Sequence, residues 1–131
     1  MKLIGFIKQH DAILDAVDFL DFKKASEHNP KFIASSKLHL SRIYFRNCPI
    51  VFGWMNYFKD LDTGEIIEPQ SYYSDGEWIW PSYFMYYLNK FNSWGLYQDF
   101  FNSIENKKYH VNVSNEAEIE AEIVLLNLFK K

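Results

Sequence analysis

The chain has 131 residues, of which 48% are hydrophobic and 24% are charged. These proportions are ordinary for a folded protein and exclude an intrinsically disordered chain, and the length predicts a single domain over residues 1–131. Acidic residues outnumber basic ones by 17 to 14, and the net charge of -3 argues against nucleic acid as a partner, because phosphate backbones attract a basic surface. Aromatic residues make up 19% of the chain, so we expect some of the rings at the surface.

Cysteine content and hydropathy predict the compartment. The single cysteine, Cys48, cannot form an internal disulfide and suits a reducing environment, where a packed and inert thiol is expected. The sequence has no secretory leader and no apolar run long enough to cross a membrane. We therefore expect a cytoplasmic protein without a membrane partner.

The beginning of the chain predicts an extended or irregular segment followed by one long helix. Residues 2–7 are apolar, and the spacing of apolar residues becomes helical from residue 10 to about residue 24. One face of this helix carries Ile13, Val17 and Leu20, and the opposite face carries an acidic stripe, defined as Asp11, Asp15 and Asp18. Phe22 is expected to project through the acidic stripe. Residues 28–30, His-Asn-Pro, predict the end of the helix.

The next segment predicts a β-sheet. Residues 32–34 and 38–45 predict two short strands, and the apolar run at residues 50–58 predicts a stronger one. Residues 60–64, Asp-Leu-Asp-Thr-Gly, have the chemistry of a turn. Residues 65–68 are therefore expected to return as the second strand of a hairpin.

The most specific stretch of the chain is an eight-residue motif. It reads Ser74-Asp75-Gly76-Glu77-Trp78-Ile79-Trp80-Pro81. Asp75 and Gly76 predict a tight turn in which Gly76 has positive φ, and the two tryptophans are expected to share one face of a short strand. The proline ends that strand, and Ser82 can cap the helix that follows. Helices are predicted at residues 82–92 and 97–106.

The last segment has features of both a strand and a helix. Glutamates alternate with alanine or isoleucine over residues 116–123, which is the periodicity of a strand. Alanine and glutamate nevertheless favour helices, and Asn115 with Glu118 has the pattern of a capping box, so a helix is preferred for residues 116–128. The order of all these elements predicts an α+β fold, in which helices pack on an antiparallel sheet.

Over about residues 55–111, the chain resembles small bacterial proteins that are often encoded beside toxin genes. The resemblance is carried by Asp62-Thr63-Gly64-Glu65, the motif, Tyr86-Tyr87 and Phe91-Asn92. Such proteins are immunity proteins of contact-dependent inhibition and related polymorphic toxin systems. The resemblance implies a protein that binds one toxin domain and has no chemistry of its own. We expect the motif residues and the tyrosine pair to hold the scaffold; these are Asp75, Gly76, Trp78, Trp80, Pro81, Tyr86 and Tyr87.

Acidic groups are the residues expected to meet a toxin. Carboxylates can mimic phosphates to a basic nuclease toxin, steer its association and block its cleft. Besides the acidic stripe, the candidates are a second cluster of Asp60, Asp62 and Glu65, and a third of C-terminal glutamates. Aromatic anchors are expected beside these charges, namely Phe22, Tyr72 and Tyr73. A solvated charged face is the alternative explanation for each acidic run.

Catalytic and metal sites have weaker support in the sequence. His39, His110 and Lys108 are the set from which a small histidine-based hydrolase could be built. His10 with nearby aspartates lacks the spacing of a zinc site, and the loop at residues 60–65 lacks the closing glutamate of a calcium loop. We therefore expect no metal and no cofactor. An adaptor for another cellular protein is a further alternative.

Overall fold

The computed structural model describes residues 1–28 and 35–130 of the chain. Within these residues, five helices and a four-stranded sheet confirm the predicted α+β class. The elements in chain order are β1 (Lys2–Leu3), α1 (Phe19–His28), α2 (Ser35–Asn47), β2 (Ile50–Lys59), β3 (Ile66–Ser74), β4 (Trp78–Pro81), α3 (Tyr83–Phe91), a 3₁₀ turn (Trp94–Tyr97), α4 (Gln98–Asn106) and α5 (Asn115–Phe129).

The sheet is mixed, which corrects the prediction of a purely antiparallel one. Its strand order is β1-β4-β3-β2, and β2, β3 and β4 are antiparallel neighbours. Strand β1 runs parallel to β4, with Lys2 opposite Trp78 and Leu3 opposite Ile79. A strand of two residues leaves no periodicity in the sequence, so its direction could not be predicted.

Two hydrophobic clusters lie on opposite faces of the sheet, because neighbouring strand residues point to opposite sides. Tyr72 and Ile79 belong to the first cluster, while Tyr73 and Trp80 pack in the second. Helices α1 and α5 cover the first face, and α2 and α4 cover the second. Helix α3 contributes to both clusters, with Tyr83 and Tyr87 in the first and Phe84 and Leu88 in the second.

The motif has the predicted turn and strand. Gly76 has φ of +95°, and the Asp75 Oδ1 atom accepts the backbone N–H groups of Glu77 and Trp78 at 3.0 and 2.8 Å. Both tryptophans of the motif contact the Phe100 ring, at centroid distances of 5.4 and 5.5 Å, so they share one face as predicted. The motif therefore joins β4 to the second cluster.

The helix predicted for residues 10–24 is wrong in its first half, because α1 begins only at Phe19. The Asp18 Oδ1 atom accepts the backbone N–H groups of Leu20 and Asp21 at 2.9 and 3.3 Å, and so caps the first turn. Before Asp18, residues 8–10 and 14–15 form turns, and Ile7 makes an isolated parallel bridge to Val17. The three spaced aspartates therefore do not form a stripe on one helix.

The strand predicted at residues 38–45 is also wrong, because these residues lie in α2. Their buried members are Ser41, Tyr44 and Phe45, which follow helical rather than alternating spacing. The Ser41 hydroxyl donates to the Lys37 carbonyl at 2.8 Å, so the helix backbone satisfies this buried hydroxyl. The strand predicted at residues 32–34 lies outside the described residues.

The other predicted elements are confirmed, although two caps differ. Strands β2 and β4 and helices α3, α4 and α5 match the predicted segments, including the preference for a helix at the C-terminal end. Strand β3 overlaps the strand predicted at residues 65–68 but extends further, to Ser74. The Ser82 hydroxyl donates to the Pro69 carbonyl at 2.6 Å and makes no capping bond to α3. Helix α5 is capped by Ser114 instead of Asn115, since the Ser114 Oγ accepts the Ala117 N–H at 3.1 Å.

Candidate functional site

Strand β2 lies at the edge of the sheet and carries an apolar bulge. Among the described strands it pairs with β3 alone. From Gly53 to Tyr57 the strand advances four positions, while the paired residues Ser71 and Pro69 are two positions apart, so two extra residues project from β2. We call residues 54–57, Trp-Met-Asn-Tyr, the β2 bulge.

The side chains of the β2 bulge are unusually exposed for their type. Met55 is 107% exposed, Tyr57 58% and Trp54 47%. Methionine, tyrosine and tryptophan are the residues enriched at protein interfaces, and methionine adapts its shape to different partners. Edge strands that only need protection against aggregation usually present charge or proline at this position. The exposed apolar side chains of the β2 bulge are therefore better suited to binding a partner than to protecting the strand edge from aggregation.

The β2 bulge is supported from behind by a group of rings. Trp54 packs edge-on against Phe52 at 4.9 Å and contacts Phe129 at 6.0 Å between ring centroids. Phe129 belongs to α5 and also contacts Phe52 and Tyr72, at 5.8 and 5.2 Å. The Asn56 Oδ1 atom accepts the backbone N–H of the following residue at 2.8 Å. These contacts fix one end of the bulge while the Met55 side chain stays in solvent.

The predicted aromatic anchors do not reach the surface as expected. Phe22 is buried in the first cluster against Phe91, and Tyr72 is completely buried, so the expectation that these two rings stand in a polar rim is wrong. Amphipathic spacing over residues 10–24 predicts Phe22 on the outer face, but the buried face of α1 consists of Phe19, Phe22 and Ser26, whereas Leu20 is exposed. Tyr73 is half-buried on the opposite sheet face.

Asp11 is buried as well, and it joins two tyrosines of the first cluster. Its Oδ1 accepts the Tyr72 hydroxyl at 2.5 Å, and its Oδ2 accepts the Tyr83 hydroxyl at 2.9 Å. Burial raises the pKa of the Asp11 carboxyl, and the two hydroxyl donors act in the opposite direction. The Tyr83 hydroxyl also accepts the Ile7 backbone N–H at 2.9 Å. Asp11 therefore fastens the segment before α1 to Tyr72 of the sheet and is not part of an open acidic surface.

His10 is the histidine with the largest environmental effect on its pKa. Burial lowers the His10 pKa to about 4, with a smaller opposing effect from the charge of Asp60, so the ring is neutral at pH 7. Its Nε2 lies 2.8 Å from the Tyr87 hydroxyl, which itself accepts the Leu61 N–H at 3.2 Å. Because that hydroxyl accepts from Leu61, its proton is available for His10 Nε2. Through Tyr87 of α3, His10 is thus connected to the β2–β3 loop at Leu61.

Asp60 is a buried hub of the β2–β3 loop. Its Oδ1 accepts the N–H groups of Asp62 and Thr63 at 2.7 and 3.1 Å, and its Oδ2 accepts from the Tyr86 hydroxyl at 2.5 Å and from Lys90 at 2.6 Å. Burial alone would raise the pKa of Asp60, but the bonds from Lys90 and Tyr86 outweigh it and hold the pKa well below its usual range. The expectation that Asp60 offers a free carboxylate to a partner is therefore wrong.

The remaining acidic candidates do lie at the surface. Asp15 and Glu65 are exposed, and Asp18 is partly exposed at the cap of α1. Asp62 shares the loop with Glu65 and forms ion pairs with Lys23 at 3.0 Å and Lys90 at 3.7 Å. The structure thus brings Asp60, Asp62 and Glu65 into one loop, but only the last carboxylate is left without an ion pair among the described residues.

Asp75 is the third buried carboxylate, and it connects the motif to two helices. Its Oδ2 accepts the Tyr44 hydroxyl of α2 at 2.7 Å and lies 3.5 Å from Lys107, directly after α4. Lys107 also pairs with Glu77 at 3.0 Å. Together with the turn bonds described above, these contacts fasten the motif to the rest of the fold. Tyr86 and Tyr87 make comparable contacts with the β2–β3 loop, through Asp60 and Leu61, respectively.

The structure adds no support for catalysis or metal binding. His39 and His110 are both exposed, on α2 and after α4, respectively. Cys48 is buried, and burial with the charge of Asp75 raises its pKa to about 12, so the thiol is unreactive at neutral pH. Within residues 1–28 and 35–130, no three His, Cys, Asp or Glu side chains are grouped so that they could hold a metal ion. None of the helices in those ranges has both the length and the apolar character to cross a membrane.

The sequence prediction missed the β2 bulge as a candidate site. It read residues 50–58 as one regular strand, although both alternating faces are largely apolar. A strand at the edge of an antiparallel sheet normally has one polar face, so apolar residues on both faces were a usable signal.

No protein-family model matches the chain, and neither curated proteins nor solved structures give a significant match.

Proposed function

We propose that this chain is a non-enzymatic, cytoplasmic bacterial immunity protein, which binds one toxin domain through the β2 bulge and blocks that domain. The observation that carries the proposal is the exposure of Met55 between Trp54 and Tyr57 on an edge strand that pairs with β3 on one side only among the described strands. A fully solvated methionine beside two half-exposed rings is costly to leave uncovered, and such groups are typical energetic centres of interfaces.

Two further observations support a binding role over a catalytic one. The buried carboxylates described above, Asp11, Asp60 and Asp75, all have their oxygens occupied by tyrosines, lysines or backbone N–H groups. The resemblance to immunity proteins rests on the motif around Asp75, on the loop that contains Asp62, and on residues 86–87 and 91–92 in and after α3, and none of these belongs to the β2 bulge. An interface on the exposed strand leaves those scaffold residues free to hold the fold.

Exposed carboxylates complete the proposed mechanism. A nuclease toxin has a basic cleft for nucleic-acid phosphates, and the net charge of -3 favours association with such a surface. In the first two predicted acidic groups, Asp15 and Glu65 are exposed carboxylates that stay candidates for steering, and the exposed Asp62 is already paired with Lys23. In this mechanism charge accelerates encounter, while the apolar bulge slows dissociation.

The test is binding of the purified chain to the toxin domain encoded beside its gene, measured by surface plasmon resonance. We expect the Met55→Ala, Tyr57→Ala double variant to raise Kd about 10- to 100-fold, mainly through faster dissociation, because interface centres have effects of this size. Leu14→Ala is the control, since Leu14 is an aliphatic residue before α1 that is 92% exposed and lies outside the β2 bulge.

Two results would contradict the proposal. An unchanged Kd for the bulge variant would remove the β2 bulge from the interface. If the folded parent chain does not bind the toxin domain and does not rescue the growth of cells that express it, the immunity function itself is wrong.

A further inference from the structure

Helix α5 is apolar on two opposite sides. Ala121 and Leu125 are buried in the first cluster. At about 100° per residue, Ile119, Ile123 and Leu126 lie about 140–200° around the helix axis from Ala121. These three side chains are 59%, 51% and 37% exposed, so they form an outward row that we call the α5 stripe.

An exposed stripe of this kind is unusual on a surface helix. A helix that packs on a domain normally pairs one apolar face with a polar outer face, and a helix that is apolar all round is normally covered. The spacing of the α5 stripe, four and then three residues, is the spacing by which one helix packs against another. The geometry therefore fits a helix as the covering element.

The glutamates beside the α5 stripe indicate what charge a helix bound to it should carry. Glu118 and Glu122 flank the α5 stripe on one side, and Glu116 and Glu120 flank it on the other. None of these four carboxylates forms an ion pair within the part of the chain that the structure describes. Glu116 and Glu118 stand in the first turn, where the helix dipole favours acidic residues, but Glu120 and Glu122 lie beyond it.

We propose that the α5 stripe binds an amphipathic helix whose apolar face is flanked by lysine or arginine on both sides. Opposite charges would then meet along both edges of the contact. A second copy of this chain is a poor occupant, because two such stripes would bring two acidic rims together. The inference rests on the proposed function, since it assigns the partner that binds the β2 bulge a basic helix as its second contact.

The α5 stripe is continuous with the β2 bulge. Phe129 follows Leu126 by three residues and therefore neighbours it on the helix surface. The Phe129 ring also contacts Trp54 at 6.0 Å. One partner could thus cover both features without crossing a polar gap.

The first experiment uses designed helical peptides and needs no toxin. One peptide carries leucines at helical spacing with lysines on both flanks, and its control has glutamates in place of the lysines. By isothermal titration, we expect the full chain to bind the lysine peptide at least tenfold more tightly than the glutamate peptide, with an affinity that falls as salt rises. Ile123→Ser should weaken binding about tenfold, whereas Ile66→Ser, which changes another exposed isoleucine, on β3, should not.

The outcomes separate this inference from the proposed function. Equal binding of the two peptides, or no binding by a chain that unfolds at its normal urea concentration, would overturn the inference, even if the toxin domain binds. A dimer in analytical ultracentrifugation that Ile123→Ser dissociates would also overturn it, in favour of a second copy. Specific binding of the lysine peptide without binding of the toxin domain would support the stripe and refute the immunity function.

Discussion

The hydrogen bond between Tyr44 and Asp75 offers a direct test of the architectural role of the motif. Tyr44→Phe removes the hydroxyl that donates to Asp75 Oδ2 at 2.7 Å and leaves the ring in place. Both residues are buried, and a hydrogen bond to a charged acceptor contributes about 1.5–3 kcal/mol. Lys107, 3.5 Å from the same oxygen, compensates in part, so we expect a loss of about 2 kcal/mol in the free energy of unfolding.

Urea denaturation followed by tryptophan fluorescence measures this loss. With a slope of about 1–3 kcal/mol per molar urea, a loss of about 2 kcal/mol lowers the midpoint by roughly 1 M. Tyr57→Phe is the control, because Tyr57 is exposed and should stay within about 0.5 kcal/mol of the parent. In an Asp75→Asn background, Tyr44→Phe should cost clearly less, since the acceptor is no longer charged. A loss below about 0.5 kcal/mol for Tyr44→Phe in the parent would refute the reasoning.

Two other perturbations test backbone geometry and a buried ring. Gly5 has φ of +77°, and an added Cβ would lie 2.3 Å from the Phe84 ring, so Gly5→Ala should cost about 2–5 kcal/mol in urea denaturation. Gly64→Ala, at φ of +76° in open space, should cost only about 1–2 kcal/mol, and equal losses would contradict the steric argument. The His10 pKa is about 4 in the folded chain and 6.5 ordinarily, so the unfolded chain takes up a proton first and stability falls as pH drops between these values. Between pH 7 and 5.5, the unfolding free energy of His10→Gln should therefore fall less steeply than that of the parent. The difference between the two slopes should be under about 1.4 kcal/mol per pH unit, because the ring is only partly buried. Parallel slopes would show that His10 does not titrate as described.

Local chemistry was enough to predict the motif and the later elements. The Asp75-Gly76 turn depends on positive φ and on a short side chain that bonds to its own backbone, and both are properties of single residues. Residues 38–45 of α2 predict a strand because their apolar residues alternate, although imperfectly, with polar ones. Burial of one side of this segment decided the outcome in favour of a helix.

The buried carboxylates and the β2 bulge could not be predicted in the same way, because they depend on distant partners. Asp11 is 61 residues from Tyr72 and 72 from Tyr83, and nothing near Asp11 in sequence indicates that tyrosines will enclose it. The two extra residues of the β2 bulge appear only when its register against β3 is known. Acidic spacing alone therefore overestimated the charged surface, and strand periodicity alone concealed the most exposed methionine.

The parallel pairing of β1 with β4 has a consequence for folding during synthesis. Strands β2, β3 and β4 are joined by short turns and can pair soon after they leave the ribosome. Lys2 must wait until Trp78 has been added, which takes about 4–15 s at about 5–20 residues per second. During that interval Ile4, Phe6 and Ile7, which end up buried, have no sheet to join. Attachment of the N-terminal segment is thus a late step, and a chain arrested before β4 would expose these apolar residues to chaperones and proteases.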